Sequence, residues 1–215
     1  MYSQPNIKIP YLQKTLHIVY SILFAAFWVY TGLTTSDLNN WLLENTLTLS
    51  LIIFLIAFYN IFRFSDLSYT LIFLFLLLHV YGSQHQYPDN PFGEWLKQNY
   101  NLERNHYDRF VHFGYGLLLT YPIHEVLAHG FKLKKLINYL LPIELILSSS
   151  ALYEIVEWMV ADWVYDGGEA GMNFLGMQGD IWDAQKDIAL AFTGACITMA
   201  TAYLLRSKNN ASELS

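Results

Sequence analysis

Residues 181–205 read IWDAQKDIALAFTGACITMATAYLL. After Asp187 no charge appears until Arg206, an uncharged run of 18 residues, close to the roughly 20 that one helical crossing of a bilayer core requires. Its head, however, carries Asp183, Lys186 and Asp187, which an ordinary span would not tolerate. This one stretch therefore predicts a membrane helix and marks where that helix departs from the usual pattern. Working outward, similar blocks occupy 136–161, 107–126, 67–82, 43–62 and 16–33. The first of these resembles a signal peptide in position, but its apolar run is too long and no small-x-small cleavage site follows, so it reads as a retained span.

Composition agrees with the blocks. The chain of 215 residues is 54% hydrophobic and only 14% charged, against roughly 25% charged in soluble domains. Mean hydropathy is only +0.26 because 16 Tyr and 6 Trp count as polar while suiting membrane interfaces. Cys196 is the single cysteine, which excludes a disulfide scaffold, and a net charge of −6 offers no basic patch for nucleic acid. With no internal repeat and no Pro/Gly linker, residues 1–215 read as one integral membrane domain: an all-α, polytopic bundle of about six helices.

Lys and Arg in the connections set the expected orientation. With a cytoplasmic N-terminus, the inside segments hold Lys8, Lys14, Arg63, Lys132, Lys134, Lys135, Arg206 and Lys208, and the outside ones Lys97 and Arg104. Both termini are thus expected in the cytoplasm. Trp28, Trp41, Trp158, Trp163 and Trp182 fall near span ends, where indole prefers to sit. The loop 83–105 is polar, and the acidic, Gly-rich loop 162–180 reads as a flexible lid or mouth.

In this topology three polar stretches meet at the outer face. Span four opens NHYDRFVHFGY, with Asp108, His112 and Tyr115 on one helical face and His106 and Arg109 beside them. Span five ends YEIVEWMVADW, where Glu154 and Glu157 share a face. Span six opens GDIWDAQKDIAL, where Asp180, Asp183 and Asp187 form a stripe reaching about 10 Å inward at 1.5 Å per residue. Asp108, Glu154, Glu157, Asp180, Asp183 and Asp187 make six potential negatives, and Arg109 and Lys186 offset two. The excess needs raised pKa values, protonated His106 and His112, or a bound cation. Two imidazoles with carboxylates suit divalent zinc, manganese or iron, whereas Arg109 and Lys186 suit an anionic headgroup. Ion pairs such as Asp108 with Lys186 or Arg109 with Glu157 are the structural alternative, a staple joining three helices. His79 and His85 are open to either role, Glu144 is unexplained, and His17, His124, Glu125 and His129 read as interfacial or solvated. A GxSxG elbow, a phosphate-binding glycine loop, HExxH, a cysteine zinc site and a voltage-sensor Arg ladder are all absent from the sequence.

At HYDRFVHFGYGLLLTYP (106–122), YEIVEW (153–158) and GDIWDAQKDIALAFTGA (179–195) the sequence resembles the YjdF-like family of uncharacterised bacterial inner-membrane proteins. The likeness runs from about Leu16 to Leu205 and implies a multi-pass inner-membrane location. The chain is also distantly similar to VanZ-like proteins, whose Asp-Lys-x-x-His, Glu-x-x-Gln and Asp motifs fall on Asp108 with His112, on Glu154, and on Asp187. Arg109 stands in place of that Lys and Glu157 in place of that Gln. VanZ-like proteins are associated with glycopeptide resistance and the cell envelope, so this likeness implies an envelope setting.

The expected protein binds or acts on a lipid or cell-envelope precursor at a polar or metal site of the outer leaflet. An ion- or proton-coupled transporter and a non-catalytic envelope assembly or resistance factor remain the alternatives. Whether the chain is an enzyme, and its oligomeric state, stay open at the level of sequence.

Overall fold

The computed structural model describes residues 15–133 and 136–212. These residues form α1 (Thr15–Thr34), α2 (Leu38–Phe58), α3 (Asp66–Gln84), α4 (Pro91–Tyr100), α5 (Tyr107–Glu125), α6 (Ile137–Trp163), α7 (Gly168–Phe174) and α8 (Asp183–Ser212). Among the described residues there is no strand. α1, α2, α3, α6 and α8 are long and apolar enough to cross a membrane, and α5 is of similar length but more polar. Large apolar side chains cover the outer surface: Ile22, Leu33, Ile56 and Leu152 are more than half exposed. Such belts are unstable against water and natural against lipid.

Local chemistry fixes the helix ends. The Asp37 side chain accepts from Asn40 N at 3.0 Å, so α2 begins five residues before the apolar block at 43–62 that marks its span. Ser65 caps α3, and Asn90 with Pro91 starts α4. Pro122 lies near the end of α5, which closes in a π-turn over 126–130.

α5 is the central helix and packs on α3, α6 and α8, while α1 and α2 complete the bundle through α3. Phe24, Ile72, Leu76 and Val80 form one apolar core, and Ile146, Ala191 and Ala195 the other. In the second core α5 and α8 approach backbone to backbone: a Cβ on Gly116 would run into the carbonyl of Ala191. Thr198 Oγ1 donates to Leu117 O at 2.6 Å across the same seam.

The start of α1 and the end of α8 lie at one end of the bundle. His17 on α1 is 3.2 Å from Asp66 at the start of α3, and Arg206 on α8 donates to Tyr139 Oη on α6 at 3.4 Å. Of the basic residues behind the expected orientation, Lys8, Lys14, Lys134 and Lys135 lie outside the described residues. Two expectations change at this end. His17 is buried rather than interfacial. Glu125 is buried too: it accepts from Ser65 N at 2.7 Å, from Ser65 Oγ at 2.9 Å and from Ser68 Oγ, so it ties α3 to α5. Trp41 is likewise inside, donating to Thr31 Oγ1 at 3.2 Å, whereas Trp163 and Trp182 are exposed at helix ends.

Candidate functional site

The opposite end of the bundle gathers the starts of α2, α5 and α8 and the ends of α3 and α6, and with them the acidic residues. They divide into two groups. In the first, every carboxylate is met by a cation. Arg104, buried just before α5, donates through both terminal nitrogens to the two oxygens of Asp183, and also to Met177 O at 3.1 Å and Gly176 O at 3.3 Å. Arg109 Nη2 reaches Asp180 at 2.5 Å and Asp183 at 3.1 Å, and Lys186 reaches Asp180 at 2.6 Å. The Lys186 ammonium first, then the Trp182 amide and Arg109, hold the Asp180 carboxyl well below the usual carboxylate range. Asp180 lies in the turn before α8 and outside the helical stripe that its spacing predicted. His106 Nδ1 is 3.2 Å from Arg109 Nη1, and burial together with the Arg109 charge holds this imidazole below its ordinary value.

This first group pins the later part of the loop 162–180, expected as a flexible lid or mouth. Besides the Arg104 contacts, Asn105 N donates to Gln178 Oε1 and Gln178 Nε2 to Asn105 O, both at 2.9 Å. Gly176 and Gly179 supply the positive φ angles, +63° and +86°, that its turns require.

The second group is short of cations. His112 Nε2 lies 3.6 Å from Asp108 Oδ1 and 3.4 Å from Glu154 Oε1. Asp108, His112 and Asp187 each offer a donor atom within a 4.8 Å circle, and so do His112, Glu154 and Glu157. Glu154 Oε1 and Asp187 Oδ1 are buried without a hydrogen-bond partner, and Asp187 is only 2% exposed. Orphaned buried carboxylate oxygens are costly. Ligands about 2.1 Å from a tetrahedral ion sit about 3.4 Å from each other, close to the spacings around His112 Nε2. The donors present thus fit a divalent ion that takes imidazole and carboxylate.

Of the eight residues expected as metal ligands, the structure brings together Asp108, His112, Glu154, Glu157 and Asp187. His106, Asp180 and Asp183 are engaged with arginine instead. The pairs Asp108 with Lys186 and Arg109 with Glu157, weighed as staples, are replaced by Arg104, Arg109 and Lys186 on Asp180 and Asp183.

The metal-type group borders a cavity of about 750 Å³. Glu44, His79, Tyr87, Asp108, His112, Tyr153 and Glu157 line its polar end. Tyr153 Oη donates to Glu44 Oε2 at 3.3 Å, and His79 sits between Tyr87 Oη at 2.6 Å and Glu44 O at 3.3 Å. A smaller hollow of about 30 Å³, roughly one water, shares Glu44, Tyr87, Asp108 and Glu157 and leads toward Asn40, Gln86 and Asn173. Away from the polar end the large cavity is walled by side chains such as Leu51, Leu119, Ile123, Val126 and Phe131. Arg109 and Lys186, expected to hold an anionic head, do not line it.

The family model described as "Predicted membrane protein (DUF2238)" matches residues 16–208. The chain belongs to this family. By sequence the chain is similar to "Inner membrane protein YjdF" of Escherichia coli (strain K12), 34% identical over 173 residues, which are 80% of this chain and 81% of that protein. No solved structure matches. As a member of DUF2238 the chain is a multi-pass protein of the bacterial inner membrane. Within this DUF2238 chain, sequence reasoning passed over Glu44 and Arg104. Glu44 had a signal, since it is the one charged residue between Asp37 and Arg63 and an ionisable group inside a span is a functional candidate. Arg104 had none, because nothing in a loop sequence tells a solvated arginine from one folded back onto an aspartate.

Proposed function

We propose that this protein binds a membrane amphiphile, a lipid or lipid-linked envelope precursor, with its head at the His112 carboxylate chamber, and acts on it there with a divalent metal. The observation that carries this reading is the continuity of the cavity: carboxylates and imidazoles line one end, and the rest is lined mainly by aliphatic and aromatic side chains, with scattered hydroxyls such as Thr48, Tyr115, Ser149 and Ser150. That polarity matches a molecule with a polar head and a hydrocarbon body.

Asp108, His112, Glu154 and Asp187 would hold the ion, of the zinc, manganese or iron type. When bound, it supplies Lewis acidity to a phosphoryl or carbonyl oxygen of the head and can lower the pKa of a bound water. The chain's own residues supply the rest. Glu157 and Glu44 line the chamber where they can exchange a proton with the head, the Tyr153 hydroxyl orients the Glu44 carboxyl, and Arg104 and Arg109 hold the start of α8 so that Asp187 faces His112. A transporter reading asks for polar groups continuing toward the far face, and there the cavity is lined by Leu119, Pro122, Ile123, Val126, Leu127 and Phe131.

The test is elemental analysis of protein purified in detergent without chelator, comparing the native chain with His112→Ala and Asp187→Ala. The expected result is near-stoichiometric zinc, manganese or iron in the native chain and its loss in both folded variants. A native chain free of metal, or variants that keep it, would refute the metal centre.

A further inference from the structure

Beyond the polar chamber, the cavity raises the question of how a ligand reaches it. Its floor is α3 and α5, and its walls are α2 and α6. α2 packs on α1 and α3, and α6 on α5, α7 and α8, so the gap between α2 and α6 is crossed at its polar end by the Tyr153 to Glu44 hydrogen bond and is not closed by close packing of the two helices. Wall residues on both sides are about half-exposed: Leu47 is 50% exposed, Phe54 44%, Leu152 61% and Val156 53%. The floor residues Leu76 and Val111 are almost fully buried. An opening flanked by half-exposed Leu, Phe and Val on membrane-spanning helices faces hydrocarbon rather than water.

The dimensions fit the same medium. Cavity-lining residues on α5 and its terminal turn run from Asp108 to Val126, about 27 Å of helix at 1.5 Å per residue, against a hydrocarbon core of about 30 Å. The volume is that of a ligand site, in the range of about 300–1,000 Å³. The polar residues sit at one end of this length, where a headgroup of the adjoining leaflet would lie. The walls then run past the bilayer midplane, farther than half the core that one leaflet supplies.

We infer that the gap between α2 and α6 is a lateral portal through which the hydrocarbon chain of a membrane amphiphile slides in from the bilayer, to lie on α3 and α5 with its head among Glu44, His112 and Glu157. The inference rests on the proposed function for the nature of the head and adds the route, the chain-binding surface and the residues that select for a chain. A soluble ligand would have to use the small hollow beside Asn40 and Asn173, which holds about one water.

The probe is a phosphatidylethanolamine carrying a diazirine near the end of one acyl chain. It is mixed into phosphatidylethanolamine/phosphatidylglycerol nanodiscs around the native protein, photolysed, and mapped by peptide mass spectrometry. Adducts on Leu76 and Val111 are expected, because lipid lying around the protein cannot touch those buried side chains. Leu47→Trp and Val156→Trp, at half-exposed positions that tolerate bulk, should lose the floor adducts and keep their metal. Leu33→Trp, on the outer side of α1, should keep both. Absence of floor adducts in the native protein overturns the portal, with or without bound metal. Floor adducts that survive both Trp variants overturn the route between α2 and α6. Floor adducts in a metal-free protein support the portal and refute the metal centre, so the two readings fail separately.

Discussion

Arg104 shows most sharply how a single side chain decides the architecture of this site. Its guanidinium and the Asp183 carboxylate are both about 5% exposed and paired through two hydrogen bonds, while its remaining hydrogens serve the carbonyls of Asn105, Gly176 and Met177. Removing one member of a buried pair leaves the other charge stranded. Arg104→Ala should therefore cost about 3 kcal/mol, with Arg109 still on Asp183 limiting the loss, and the Arg104→Ala, Asp183→Ala double variant should melt higher than the single one. Thermal unfolding in detergent reads both. Asp180 gives a second test, with a definite sign. Its folded pKa is depressed, so its contribution is fully present above the unfolded value near 3.9 and is lost as pH falls toward the folded value. The melting gap between the native chain and Asp180→Asn should stay constant from about pH 8 to 5 and close only below about pH 4. Both residues also mark the limits of reading this site from sequence. Asp108 with His112, Glu154 with Glu157, and Asp187 were legible because helical spacing puts each pair or single acid on an inward face. Arg104 was counted as a solvated loop cation, since a buried loop arginine differs from an exposed one only in tertiary contacts. Arg109 and Lys186 carried the right charge for an anionic head, yet the neighbouring aspartates claim them first.

At the scale of helices, the site depends on how closely α5 and α8 approach. Asp108 and His112 stand on one and Asp187 on the other, so donor distances around His112 follow the separation of the two axes. Gly116 and the Ala191 carbonyl set that separation, and the obstacle to a Cβ is backbone, which cannot rotate aside. Gly116→Ala should cost about 1–3 kcal/mol and lower metal occupancy, although residue 116 lies about one turn beyond His112 and offers no ligand itself. Gly130→Ala is the control: its new methyl would meet Phe62 and Val126 at 3.5–3.6 Å, ordinary contact, and melting should be unchanged. The small-residue pattern at Gly116, Ala191, Gly194 and Ala195 is visible in sequence, but which helix each small residue faces is not. Loop 162–180 shows the opposite limit. Its glycines and acids read as mobile, whereas the fold uses Gly167, Gly168, Gly176 and Gly179 at positive φ and one of the acids, Asp180, to anchor the loop through Arg109 and Lys186.

For the whole molecule, six long helices in alternating direction put the start of α1 and the end of α8 at the same end, opposite the carboxylate chamber. This much follows from the bundle; which side of the membrane that end faces is a matter of charge. Arg63, Lys132 and Arg206 belong to the connections or helix end remote from the chamber, whereas Lys97, Arg104, Arg109 and Lys186 lie at the chamber end. Orientation follows the count of lysines and arginines in the connections and not their pairing with carboxylates in the folded protein. By that count the sequence expectation is a cytoplasmic remote end. A periplasmic-active phosphatase fused after residue 215 should be silent, and a fluorescent protein fused there should fold and glow. The same phosphatase inserted after Asn99 in α4 should be active. The reverse pattern would turn the chamber toward the cytoplasm, and with it the source of the amphiphile, because a head held among Glu44, His112 and Glu157 must come from the leaflet in which those residues lie.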